Sequence, residues 1–418
     1  MIFKAFPRVW VDISIWEVVQ ALTCLLAPRW SCGHTIVPRF EQEFATFIDT
    51  SEAVAFTNCR SSLYFTLQAL DLKPGDEVIL PAFTFWVDAA VVVLAGLKPV
   101  FVDVCIDTLN IEATKIETAI TGKTRAILLA HLNGLPADMA PIMDIARRHK
   151  LRVIEDCARS CGARYQGKRV GSFDIGAFSF GYGKSLYGFG GGMVTSDDHD
   201  FIARLRKLRH DFRSITIGEL YHRTLKGCLL KFLNTPRLHW CTLLPIIKRY
   251  QFHGDRRFAS WFEIKKPHYN GMVPEDYNIH MYNIQARMGL QQLRTIESSN
   301  RVRLRHLKTL NQELQEIAGL HLPPDPSDRE HVNVHYAVWT EEKEKLQAYL
   351  LACNIDAQNE SAQDVSKMKR FRDYAPKEYP NAARLDGRII YLPAHPCLTT
   401  EDMKTMAGKV KSFFSNRG

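Results

Sequence analysis

No two cysteines of this chain stand in a CxxC pair. The ten cysteines are scattered, and Cys157 and Cys161 lie one residue too far apart, so the common zinc spacings are excluded. Long apolar runs are missing as well. The best, Val18 to Ala27, is interrupted by Gln20 and Thr23 and reads as a core or interfacial helix, not a membrane span. No secretory leader is evident, so reduced thiols and a cytoplasmic location are expected. Nucleotide fingerprints are also lacking. Gly183-Lys184-Ser185 touches the P-loop pattern, but that pattern needs a glycine at 178, where Phe178 stands. No GxGxxG opens a helix after a strand.

What is present is a 418-residue chain, 46% hydrophobic and 24% charged, enough for one large and one smaller globular domain. The net charge of +9 is concentrated. From Arg223 to Lys266 ten basic residues face only Asp255 and Glu263, a local excess of eight. The remainder is close to neutral, which argues against a nucleic-acid partner and for one basic face. Trp240, Phe252 and Trp261 are interleaved with these charges. Three readings follow for this segment: peripheral contact with an anionic membrane through 225–266, a helical excursion packed on the domain or a second copy, or a basic groove for a phosphate-rich substrate.

From Ala53 onward short apolar runs alternate with helical patterns. Strands are expected at 53–56, 77–80, 100–104, 126–130, 151–154 and 175–180. Helices are expected at 61–70, 85–95, 113–120 and 139–149, with one further helix from about Ile284 to Leu314. This alternation predicts an α/β fold, a mostly parallel central sheet with helices on both faces. Ligands in such folds sit at the carboxyl ends of the strands. There Glu155 and Asp156 close one strand run, and Lys184 follows the next in a glycine-rich turn. A lysine amine and a strand-end acid suit pyridoxal phosphate, which needs an amine for its Schiff base and an acid beside its ring nitrogen. Asn58-Cys59-Arg60-Ser61-Ser62 precedes a helix and could cap it or bind an anion.

The stretch GARYQGKRVGSFDIGAFSF, the ED before it, the lysine after it and the GGGMVTSDD exit resemble the active-site region of the DegT-type sugar aminotransferases. So do Pro81-Ala82-Phe83-Thr84-Phe85-Trp86, His131-Leu132-Asn133-Gly134, Asn278-Ile279-His280-Met281 and Tyr391-Leu392-Pro393-Ala394-His395-Pro396. The resemblance covers roughly 40–215 and 275–415 and implies a fold-type I pyridoxal 5'-phosphate enzyme with a smaller C-terminal α+β domain. It implies a helical segment over 1–45, a large cofactor domain over 46–300 carrying an insertion at about 218–272, and a small domain over 301–418. Lys184 is then the catalytic lysine and Asp156 the partner of the ring nitrogen. Ser179, Arg60 and Ser61 belong to the phosphate cup, Phe85 (or Trp86) stacks on the ring, and Asn278 reaches the neighbouring site of a homodimer. Arg159 stands where relatives carry His or Gln, either lowering the basicity of the lysine-bound cofactor or gripping a substrate phosphate. The implied reaction moves an amino group from an amino acid, glutamate in most relatives, to a nucleotide-linked keto sugar in amino-sugar or cell-surface polysaccharide synthesis. A dehydratase-like relative and a non-catalytic cofactor-binding regulator are the alternatives; Lys184 opposes the first and the Lys184/Asp156 pair the second.

Overall fold

The computed structural model describes residues 4–253, 272–359 and 361–415. Seven strands form the main sheet: β1 (Glu52–Phe56), β2 (Glu77–Pro81), β3 (Lys98–Val102), β4 (Thr124–Ala130), β5 (Arg152–Asp156), β6 (Ile175–Ser179) and β7 (Gly192–Ser196). Their spatial order is β1-β7-β6-β5-β4-β2-β3. The run from β3 to β6 is parallel, and β7 alone is reversed, antiparallel to both of its neighbours.

Both faces are covered. Val54 and Phe56 of β1 pack on one side, with helices Cys59–Ala69, Val87–Leu94 and His199–Arg209. Ala53 and Ala55 point to the other, against Phe40 and Phe44 of helix Val37–Ile48. Further along that second face, Ile79, Ile127 and Val153 meet Ile142 and Ile145 of helix Met139–His149. Strands buried on two faces keep no polar side, which is why they read as uninterrupted apolar runs.

A second core holds the C-terminal part. Strands β8 (Tyr336–Trp339), β9 (Gln358–Asn359) and β10 (Ile389–Leu392) form an antiparallel sheet with β10 in the middle. Leu307 and Leu310 of helix Ile296–Leu314 and Met403 and Met406 of helix Thr400–Ser415 pack on it. The single helix expected from Ile284 to Leu314 is instead two, Asn283–Gln292 and Ile296–Leu314. The first buries Ile284 and Met288 against the N-terminal segment, the second buries Leu307 to Leu314 in the C-terminal core. Two cores in different directions require the axis to turn at 293–295.

Ahead of helix Ile15–Cys24 the chain runs as a strap to the C-terminal core. Phe6 bridges to Ile355, and the Arg8 guanidinium holds the buried Asp356 carboxylate in two hydrogen bonds of 2.8 and 2.6 Å. The described part of the basic segment is helical: Ile217–Leu233, Pro236–Cys241 and Leu243–His253. Residues 254–266 of the expected membrane-facing stretch lie outside the described residues. Leu220 and Cys228 bury against Val11, Tyr187 and Phe189, while Leu244 and Ile247 bury against Ala5 and Leu351. Lys231 is buried as well, its ammonium donating to Val11 O at 3.0 Å and lying 3.5 Å from the Trp10 ring centre. The segment is thus docked on both cores. Among the described residues no helix is long and apolar enough to cross a membrane.

Gly227 makes that docking possible. A methyl group there would stand 2.3 Å from the Tyr187 hydroxyl and 2.4 Å from the Phe189 ring. Gly227→Ala is therefore expected to cost about 1–3 kcal/mol of stability by overpacking, read as a lower denaturant midpoint. An unchanged midpoint would show that the helix is not held there.

Candidate active site

Asp156 closes β5 and Ser179 closes β6, two adjacent parallel strands whose carboxyl ends open into one crevice. A cavity of about 570 Å³ lies there. The turn after β6 carries Lys184 back to it. Gly183 (φ +75°) and Gly191 (φ +112°) take left-handed backbone in that turn, conformations a side chain resists. Phe189 also does so (φ +58°), at a strain of about 1–3 kcal/mol, and its ring is buried against Tyr187. At the exit, a Cβ on Gly192 would sit 2.5 Å from Ser62 Oγ and 2.7 Å from the Asn58 backbone. Glycine there lets β7 lie directly under the first turn of helix Cys59–Ala69.

The cavity brings together Lys184, Asp156, Ser179, Arg60, Phe85 and Arg159. Phe85 is half-buried on its wall; Trp86 lines the cavity as well, but is only 2% exposed and packs mainly in the core. Asp156 accepts the N–H of Ala158 at 2.8 Å. Burial, reinforced by the Arg159 guanidinium, pulls the Lys184 amine from 10.5 down to about 8, against the opposing pull of Asp156, Cys59 and Asp88. Arg159 ties the two cores together over the cavity, donating to Asn133 Oδ1 at 3.3 Å and to the Tyr391 and Ser361 hydroxyls. Its guanidinium also lies 5.3 Å from the centre of the Tyr391 ring.

Two of the anticipated residues stand apart. Ser61 is fully buried behind the cup; its N–H goes to Asn58 Oδ1 at 2.9 Å and its hydroxyl donates to Asn58 O at 2.8 Å. It acts within the helix cap, and Cys59 and Arg60 line the cavity in its place. Asn278 is exposed and does not line this chain's cavity; its carbonyl accepts the N–H of Arg213 at 3.0 Å.

Other lining residues were not singled out from sequence. Arg223 comes from helix Ile217–Leu233 and donates to Thr57 Oγ1 at 3.3 Å, with no carboxylate partner among the described residues. Asp276, two positions before Asn278, forms an ion pair of 3.3 Å with Arg60. The C-terminal core contributes His335, Gln358 and Ser361. The His335 ring stacks on Tyr391 at 4.4 Å, and burial, together with the Arg159 and Lys184 cations, holds it well below the ordinary imidazole range. It is a neutral wall residue. Behind Asp156, the buried trio His131, Glu155 and Cys157 clusters closely enough to suggest a metal. His131 Nδ1 accepts the N–H of Ala137 at 2.9 Å, so Nε2 carries the proton and points to Glu155 Oε2 at 3.0 Å. Glu155 also accepts the N–H groups of Gly171 and Phe173, at 2.8 and 3.0 Å. His131 and Glu155 are thus bonded to each other and to the backbone, and brace the end of β5.

The model of the DegT/DnrJ/EryC1/StrS aminotransferase family matches residues 16–226 and 243–411. The chain belongs to this family. Only 227–242 is passed over between the two matched parts, a shorter stretch than the insertion expected at about 218–272. A dTDP-3-amino-3,6-dideoxy-alpha-D-galactopyranose transaminase of Aneurinibacillus thermoaerophilus is 28% identical over 95% of this chain and 95% of its own. A GDP-perosamine synthase of Caulobacter vibrioides is 43% identical over a shorter region, 43% of this chain and 48% of the relative. Among solved structures, an aminotransferase from Psychrobacter cryohalolentis superposes with a TM-score of 0.77 at 26% identity, covering 98% of this chain and 99% of that one. The family's fold-type I architecture is the fold described above.

Proposed function

We propose that the chain is a pyridoxal phosphate-dependent aminotransferase that moves an amino group from L-glutamate to a nucleotide-linked keto sugar. The observation that carries this reading is one cavity lined by a lysine amine of lowered basicity, a buried strand-end carboxylate and a half-buried aromatic wall. The donor set fits the cofactor. Asp156 would hold the ring nitrogen, Phe85 the ring face, and Ser179, Arg60 and the backbone N–H groups at the start of helix Cys59–Ala69 the phosphate. When bound, pyridoxal phosphate supplies an aldehyde carbon that takes up amines and a ring that accepts carbanion charge. The chain's own part is proton handling and orientation. Lys184 Nζ, neutral in a substantial fraction near pH 8, takes the proton from the donor's Cα. Arg159 and Arg223 present cationic groups to the carboxylate and phosphate groups of the substrates.

The nucleotide-linked acceptor is supported by the names of the two curated relatives, both of which act in nucleotide-sugar chemistry. A homodimer is supported by two observations. Helix Ile15–Cys24 and its neighbour Ile217–Leu233 expose Trp16 (66%), Leu225 (48%) and Leu229 (56%), with Leu26 (85%) just beyond. The exposed Asn278, which relatives lend to a second site, lies off this chain's own cavity. A second copy covering that apolar face gives a dimer in light scattering. A monomer that sediments with anionic vesicles would favour the membrane reading instead.

The deciding experiment is the visible spectrum of protein supplied with pyridoxal phosphate, before and after L-glutamate, followed by a panel of nucleotide-linked keto sugars. A visible band bleached by glutamate and restored by one of the sugars is expected. No cofactor uptake at all would end the proposal.

A further inference from the structure

One carboxyl group beside the cavity has no task in that reading. Asp88 lies in the first turn of helix Val87–Leu94, fully buried and three residues after Phe85. Its Oδ2 accepts the Thr84 hydroxyl at 2.5 Å. Its Oδ1 is buried too and meets no donor among the described residues. Yet the Asp88 carboxyl is within hydrogen-bonding reach of the Asp156 carboxylate. Two carboxylates in contact, both out of water, are two acceptors facing each other, so one of them must carry a proton.

The surroundings decide which. Asp156 accepts the backbone N–H of Ala158, is 8% exposed and faces the cavity. Asp88 has a single hydroxyl donor and no exposed surface. Among the described residues, the ionisable groups facing the pair include Lys184 and the thiols of Cys59 and Cys157. Burial, then the charge of Asp156, push the Asp88 acid well above the ordinary carboxylate range; Thr84 and Lys184 pull the other way. An orphaned acceptor is costly when buried, and a proton on Asp88 turns that acceptor into a donor.

We propose that Asp88 is a neutral carboxylic acid that donates a hydrogen bond to Asp156, a positioning residue that fixes the orientation and charge of the carboxylate awaiting the cofactor's ring nitrogen. The last clause rests on the cofactor reading above, while the acid–carboxylate pair itself does not. The pair carries one negative charge instead of two, and Asp156 is held at a single rotamer before any ligand arrives.

The test begins with cofactor-free protein. Difference infrared spectroscopy of wild type, with aspartate carbonyls isotopically labelled, is expected to show a protonated-carboxyl band that persists through neutral pH. Asp88→Asn keeps the shape and an N–H donor toward Asp156, so it should lose the band yet bind pyridoxal phosphate within about threefold of wild type. Asp88→Leu removes the donor and should weaken binding by about ten- to a hundredfold, the size of a hydrogen bond to a charged group. The wild-type pH titration of the band needs no variant, so it stands even if Asp88→Leu fails to fold. Absence of a protonated band at neutral pH overturns the proposal, as does tighter cofactor binding by Asp88→Asn, the result expected if Asp88 were a repelling anion. A band present in a protein that takes up no cofactor leaves the pair standing and sinks the cofactor reading.

Discussion

Lys184→Ala should lower amino transfer by about 10⁴-fold, the upper range for removing a positioned general base, and more if covalent attachment also counts. The same variant should lose the visible band of lysine-linked cofactor while keeping its fold. The reason is local. Lys184 lies in a turn whose shape is set by Gly183 and Gly191 and whose surroundings lower its basicity to about 8. A lysine with that value is roughly one-tenth neutral at pH 7 and half neutral at pH 8, so cofactor capture should rise about fivefold between them and then level off. An ordinary lysine would go on gaining about tenfold per unit to beyond pH 10. Arg159→Gln removes a cation that disfavours a second one, so the levelling should move to higher pH. Linkage gives a second readout. Between about 8 and 10.5 the unfolded chain still holds the lysine proton that the folded one has lost, so cofactor-free wild type should gain stability as pH rises there. Lys184→Ala should flatten that gain. A capture rate that climbs past pH 9 in wild type would place the amine in water, outside the cavity described.

Much of this site could be read from the chain, because its parts sit at the ends of strands that declare themselves. β5 and β6 are apolar on both faces, and the residues closing them, Asp156 and Ser179, need no tertiary knowledge to be placed at a carboxyl end. Helix Met139–His149 falls at the expected bounds because its apolar residues keep one face and Lys150 stops it in a left-handed turn. What escaped is set by contacts between distant segments. Arg223 stands in a run of cations with no mark separating a cavity arginine from a solvated one, and only the docking of helix Ile217–Leu233 through Gly227 aims it inward. His335 precedes β8 as an isolated histidine, and its place depends on how the C-terminal sheet closes over the crevice. By position alone Asp88 is an acid in a first helical turn, where the helix dipole favours a negative charge. Its burial against Asp156 removes that meaning.

Asp156→Ala is the second large effect. Loss of a charge-bearing partner in a water-excluded site costs about 10²–10³ in rate; cofactor binding should weaken too, and with cofactor supplied at saturation the remaining fall should appear in kcat. The two acids also predict an interaction between variants that single losses do not reveal. In Asp156→Ala, Asp88 keeps the Thr84 hydroxyl and no longer faces an anion, so its acid group falls back part of the way, with burial still raising it. It then becomes able to supply the missing negative charge from behind. Asp156→Ala should therefore retain part of its activity through Asp88, and the double variant Asp156→Ala/Asp88→Asn should fall below the product of the two single effects. Because the residues touch, such non-additivity is the physical expectation, and its sign is the informative part. A double variant no worse than Asp156→Ala alone would mean that Asp88 offers no charge to the ring nitrogen. The acid–carboxylate pair would then act on orientation only.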